Sequence, residues 1–295
     1  MHFGAYVAKQ SAYGNSLLPG EFGILNRVLP GLFCVNELLS TAAREPLPRD
    51  IWLSDIELMA ARSVNGSAQG LYLSVKGGNN GVSHNHNDAG NFVVYANGRP
   101  VLVDAGTQNY TSDTFSEKRY DIWNNQSAWH NLPTINGVMQ KEGSSFKVTD
   151  IYYSASNKQA EITMDIASAY PVEAKVVFWK RNVALNRGKE VCLKENFELK
   201  EYLHPYEANF ISPLVPQLEK EGVVLLTDTA SGEKYRIYYD SKKFIFRTDE
   251  IAILKNTAPQ KIQERMSMAW GNTLYRIRLV SKTTRLKDEV RFIIK

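Results

Sequence analysis

From Ile51 onward, apolar and polar residues alternate with a period of two, and turn residues interrupt them at close intervals. GLYLSVKGG is such a run closed by glycines, and NFVVYANGRPVLVDAG is two β-branched runs joined at Asn97-Gly98. That dipeptide accepts positive φ at both positions, so the pattern predicts a tight hairpin whose turn sets the register of its two strands. EAKVVFWKRNVALNRGKEVCLKENFEL repeats the arrangement around Asn186-Arg187-Gly188, and GVVLLTDTASGEKYRIYYD, KFIFRTDEIAIL, TLYRIRLVS and EVRFIIK continue it. Strands this close, joined by short polar turns and without a fixed repeat period, predict a mostly β protein built as a large antiparallel β-sandwich.

Residues 1–50 differ. Pro-Gly pairs surround one helical stretch near Leu32–Ala43, and the two prolines of Arg44-Glu-Pro-Leu-Pro-Arg49 end it. The reading is a short N-terminal segment, 1–50, made of the tail of a helical region and a linker, followed by a sandwich domain over 51–295. Between Asp104 and Gly143 the alternation lapses into a long polar and aromatic loop. Loops of that length inside a compact domain are usually functional.

Composition changes this picture little. The chain has 295 residues, 43% hydrophobic and 22% charged, which is ordinary for a globular protein. A formal charge of +4 with scattered Lys and Arg argues against nucleic-acid binding and tolerates a polyanionic ligand. Cys34 and Cys192 are the only cysteines and lie outside any CxxC pattern, which excludes cysteine-ligated zinc; two buried free thiols are the simpler reading, a disulfide the other. No apolar run is long enough to span a bilayer. The start, MHFGAYVAKQSAYGN, lacks a charged n-region and an apolar h-region, so the chain is expected to be cytoplasmic or a piece of something longer.

Three of the five histidines fall in or beside the first hairpin and its loop. Ser83-His84-Asn85-His86-Asn87-Asp88 precedes its first strand, Asp104 follows its second, and His130 lies in the loop. If the 83–88 piece is extended, His84 and His86 share a face, and the antiparallel return brings Asp104 back beside them. Imidazole and carboxylate suit zinc and other first-row divalent ions; a hydrogen-bonded polar cluster at a sheet end is the alternative. Two ligand triplets are available. His86, Asp88 and His130 fit the HxD…H pattern of iron oxygenases, and His86, Asp104 and His130 form the other, leaving His84 outside.

The segment SHNHNDAGNFVVYANGRPVLVDAG, with NYT, RYDIWNNQSAWHNLPTING and AYPVEAKVVFWKR, resembles the C-terminal β-sandwich part of heparinase II/III-like polysaccharide lyases, well over Arg49–Arg187 and loosely beyond. The resemblance implies a bound divalent metal, usually zinc, held by His86, Asp104 and His130, with His84 facing the substrate. It implies an acidic polysaccharide as partner, either a heparin- or heparan-sulfate-like glycosaminoglycan or alginate, and cleavage by β-elimination. Such a reaction removes the C5 proton of a uronate, neutralises the charge that develops, and protonates the leaving O4 oxygen. His84 and the loop hydroxyl of Tyr110 are the catalytic candidates, with Asn85, Asn87, Arg119 and Gln126 as candidate substrate contacts. In that family a helical toroid precedes the sandwich and supplies a catalytic tyrosine. Some fifty residues are too few for it, so the chain resembles a C-terminal portion of a periplasmic or secreted parent. A non-catalytic, metal-stapled sugar-binding sandwich is the competing reading.

Overall fold

The computed structural model describes residues 33–42, 45–107, 112–253 and 266–295. They form two units, one of residues up to Pro48 with Asn65–Ser67, the other of Arg49–Val64 and Ala68–Lys295. The first holds a short helix, α1 (Val35–Ser40), inside the stretch where a helix is expected; Leu32 and Ala43, the expected ends, lie outside the described residues. Cys34, just before α1, is partly exposed, so only Cys192 is a buried free thiol.

The second unit is the sandwich. Its strands in chain order are β1 (Asp50–Leu53), β2 (Leu58–Arg62), β3 (Leu71–Lys76), β4 (Asn79–Asn80), β5 (Phe92–Ala96), β6 (Arg99–Leu102), β7 (Pro133–Thr134), β8 (Gly143–Lys147), β9 (Thr149–Ala155) and β10 (Gln159–Asp165). There follow β11 (Val176–Asn186), β12 (Glu190–Leu199), β13 (Glu207–Ser212), β14 (Val215–Lys220), β15 (Val223–Thr227), β16 (Lys234–Tyr238), β17 (Phe244–Ala252), β18 (Thr273–Ser281) and β19 (Lys287–Ile294). Every described pairing is antiparallel. One layer is an eight-stranded sheet, β14-β15-β16-β19-β12-β11-β10-β9. Opposite it stand a five-stranded sheet, β1-β2-β3-β5-β6, and a four-stranded sheet, β17-β18-β13-β7. The last two are joined where the Val103 amide donates to the Ile211 carbonyl.

Period-two alternation produces the core directly. Met59 and Ala61 on β2 and Phe92, Val94 and Ala96 on β5 point inward, against Trp179, Val183 and Leu185 on β11 and Val191, Leu193 and Phe197 on β12. Trp179 stacks on Phe197 at 4.3 Å between ring centroids, and Phe210, Phe244 and Phe292 carry the aromatic packing on to the four-stranded sheet. Aromatics of this size dominate core energetics, because each buries a large apolar area.

The first hairpin forms as its sequence predicts. Asn97 and Gly98 adopt φ of 51° and 77° between β5 and β6, and the Asn97 side chain accepts the Gly70 amide. A bulge at Val101 shifts the register between Val94↔Leu102 and Tyr95↔Pro100. Pro100 is tolerated because β6 is an edge strand.

Candidate metal centre

His86, Asp104 and His130 each offer a ligand atom, and these atoms lie within 4.8 Å of one another. Asp104 leaves the end of β6, and across from it at the start of β5 stands Asn91, whose amide donates to Asp104 Oδ2 at 3.0 Å. The Gly106 amide donates to Oδ1 at 2.8 Å. His130 enters from the loop, fully buried, with Nδ1 3.1 Å from Asp104 Oδ2. His86 closes the group, its ring 5.5 Å from that of His130.

The residues before β5 are not extended. His84 sits at φ 57° in a turn, exposed, while Asn85 and Asn87 are buried and His86 is half-buried. The reason is local: the Asn87 amide donates to Asn125 O in the loop, so this stretch pairs with the loop and not with a strand. The two histidines therefore differ in exposure through a turn, and no shared strand face is involved.

Among its described residues the loop holds four short 3-10 turns, Asp113–Phe115, Glu117–Asp121, Trp123–Asn125 and Ser127–Trp129. A polar network fastens it to the hairpin. Gln140 bonds both the amide and the carbonyl of Ala89, Asn80 accepts the amides of Asp88 and Ala89 and donates to Gln140, and Ser127 Oγ accepts the Gln140 amide. Asn131 donates to the carbonyls of Phe92 and Val103, and its own amide donates to Asn91 Oδ1. Buried, well-satisfied networks of this kind rigidify what they join. Asn80, Asn91, Asn131 and Gln140 were not singled out by sequence reasoning; the signal was the crowding of asparagine around His86 and beside His130.

Of the proposed substrate contacts, Arg119 turns Nε and Nη2 onto Asn85 O and Nη1 onto Thr114 O, which pins the backbone at Asn85. Gln126 Nε2 donates to Tyr120 O. Both amide atoms of Asn85 and Oδ1 of Asn87 are buried without a partner. Tyr110 lies outside the described residues. Asp88, the carboxylate of the oxygenase-type triplet, pairs with Lys76, and the described group contains Asp104 in its place.

Electrostatics match a shared cation. Burial by itself would raise the Asp104 carboxyl, but His130 beside it, their hydrogen bond, the Gly106 amide and His86 hold it well below the usual carboxylate range. Burial pulls the His130 imidazole down, and the Asp104 carboxylate more than reverses this. His86 is lowered, by burial first and by His130 second. The site thus keeps the Asp104 carboxylate ionised beside His130 and holds His86 toward its neutral, ligating form. The 3.1 Å contact is close to the spacing of about 3.3 Å between two ligands of one tetrahedral zinc. His130 Nε2 is also buried without a partner. Two imidazoles and a carboxylate, already converged, fit a divalent ion.

Gly90 sets the backbone between His86 and β5. Its φ is 87°, and a Cβ there would stand 2.7 Å from Ile166 Cγ2. Gly90→Ala is expected to cost at least about 2 kcal/mol through left-handed strain and overpacking. Urea unfolding would show this as a lowered midpoint; an unchanged midpoint would mean the backbone relaxes freely.

The profile described as Heparinase II/III-like, C-terminal, matches residues 46–253. Among solved structures, the chain is similar to the heparan sulfate lyase HepC from Pedobacter heparinus, at 17% identity and a TM-score of 0.66, over 91% of this chain and 40% of that one. A heparinase III gene product is similar at 12% identity and TM-score 0.65, over 91% and 39%. A further heparinase III is similar at 14% and 0.60, over 86% and 37%. At these identities the likeness is one of fold. The chain spans about two fifths of the length of these proteins. A sequence search of curated proteins returned no match.

Proposed function

The chain belongs to the heparinase II/III-like family, and we propose that it forms the sandwich wall of a polysaccharide lyase that cleaves uronic-acid-containing glycans by β-elimination. The observation that carries this reading is the division of labour between neighbouring histidines. His84 is exposed at the turn, while His86, two residues on, joins Asp104 and His130 inside. The exposed histidine can meet a substrate while the other anchors the turn.

In this reading His86, Asp104 and His130 hold a divalent ion, zinc by donor type, which fixes the loop and hence the orientation of His84. His84 neutralises charge on the uronate carboxylate or moves a proton at C5 or O4. Asn85, with its side-chain nitrogen unpartnered, is a donor toward sugar or carboxylate, Asn87 has an unpartnered Oδ1 that would accept from a sugar hydroxyl, and Arg119 keeps Asn85 in place. Gln126 and Tyr110 belong to the same loop and would line the cleft, Tyr110 as a second proton-transfer group. The substrate class is a heparin- or heparan-sulfate-like glycosaminoglycan or alginate, met outside the cytoplasm. In the whole protein a helical toroid forms the opposite wall and contributes the principal acid/base tyrosine. Pairing of Asp88 with Lys76 speaks against the iron-oxygenase alternative.

The test is a lyase assay on heparan sulfate, chondroitin, hyaluronan and alginate, following ultraviolet absorbance of the unsaturated uronate. The chain alone is expected to bind acidic oligosaccharide weakly and turn over at least about a hundredfold more slowly than the same chain joined to its toroid. Full turnover by the chain alone would place acid and base both within these residues. Binding without cleavage in the joined protein would favour the sugar-binding sandwich.

A further inference from the structure

An arginine far from the loop in sequence ends at its foundation. Arg181 on β11 faces Glu195 on β12 in direct register. Both are fully buried, in a face that also holds Trp179, Val183, Leu193 and Phe197. Nε and Nη2 of Arg181 both donate to Glu195 Oε1, at 2.9 and 2.5 Å. The remaining nitrogen, Nη1, donates to two backbone carbonyls on the opposite layer, Gly90 O at 2.9 Å and Asn131 O at 2.7 Å.

These two carbonyls belong to the two segments that carry the metal group. Gly90 precedes Asn91, which bonds Asp104. Asn131 follows His130. One guanidinium nitrogen therefore ties the hairpin side of the centre to the loop side, from below, while Glu195 fixes the plane of the guanidinium.

A buried ion pair is a poor way to gain stability. The desolvation cost often exceeds the attraction, and well-packed apolar residues in its place are frequently neutral or better. The pair occupies a slot between aromatic neighbours that apolar side chains would fill. What apolar side chains would not do is hold two carbonyls at a fixed separation. A lysine, with one nitrogen and no planar fork, would not hold both carbonyls and the carboxylate together.

We propose that Arg181, oriented by Glu195, is a positioning residue that sets the spacing of His130 and the Gly90–Asn91 segment and so tunes the cation site. The proposal rests on reading His86, Asp104 and His130 as that site.

The experiment measures zinc affinity by chelator competition and the visible spectrum of the cobalt-substituted protein, for the natural chain, Arg181→Lys, and the double variant Arg181→Met/Glu195→Leu. The double variant removes the pair without stranding a buried charge but takes the Arg181 donor from Gly90 O and Asn131 O, so cooperative unfolding at a lowered midpoint is expected of it. Zinc affinity should nevertheless fall about tenfold or more, with a shifted cobalt spectrum, and Arg181→Lys should not restore either. Either variant folding normally with unchanged affinity and spectrum overturns the proposal. A natural chain that binds no zinc overturns the cation site itself, and the proposal with it, and is told apart by that first measurement.

Discussion

Replacing His130 with alanine is expected to abolish stoichiometric zinc binding at micromolar protein. His130 is fully buried and sits 3.1 Å from Asp104 Oδ2, so its loss removes a donor that the loop holds in place. Structural zinc sites are worth about 10–16 kcal/mol in all. Losing one donor of a tetrahedral set then costs about 3 kcal/mol, roughly a hundredfold or more in affinity. The variant also leaves Asp104 without its imidazole and opens a void beneath the loop, so faster hydrogen exchange is expected between Asp104 and Gly143. His204→Ala is the control, because His204 is exposed and outside the group. Elemental analysis settles the matter: zinc retained by His130→Ala, or lost equally by His204→Ala, would refute the assignment.

The opposite pattern is expected at His84. In the complete lyase, His84→Ala should lower cleavage by about two to four powers of ten, the usual loss for a group that transfers a proton or neutralises charge in the transition state. Zinc content and melting temperature should stay as they were, because His84 is exposed and lies outside the converging group. Its φ of 57° makes His84→Asn the better-matched companion, since asparagine tolerates this backbone region more readily than alanine. Loss of zinc in either variant would mean that the roles of His84 and His86 are exchanged.

Much of this site was legible in the sequence because hairpins are local. Asn97-Gly98 fixes the turn through its positive φ values, and the turn returns Asp104 to the start of β5. That topology left two triplets open, one with Asp88 and one with Asp104, and the family resemblance chose His86, Asp104 and His130. The condition that the stretch from His84 to Asn87 be extended is not met, because period two is a statement about strands and this stretch bonds to a loop. The loop itself looked aperiodic, since successive 3-10 turns each close after three residues and leave no lasting period. Arg119 is a candidate substrate contact by residue type, and its hydrogen bonds to backbone carbonyls are something residue types do not reveal. Arg181 was invisible for a related reason: its burial depends on Glu195, met only across a second hairpin, and on carbonyls of the other layer.

The span of the Arg181 contacts bears on the order in which the molecule folds. Arg181 reaches Gly90 across 91 positions and Asn131 across 50, whereas β5 and β6 meet across a two-residue turn. Loop closure makes long-range contacts slow relative to local ones. The hairpin that carries Asp104 can therefore form early, while the frame that fixes its distance from His130 waits for the eight-stranded layer to dock. Until then His86 and Asp104 offer a cation only a weak, two-point hold. With the proposed cation site, metal capture is expected to be the closing event of folding, and added zinc is expected to slow unfolding and leave the rate of collapse unchanged.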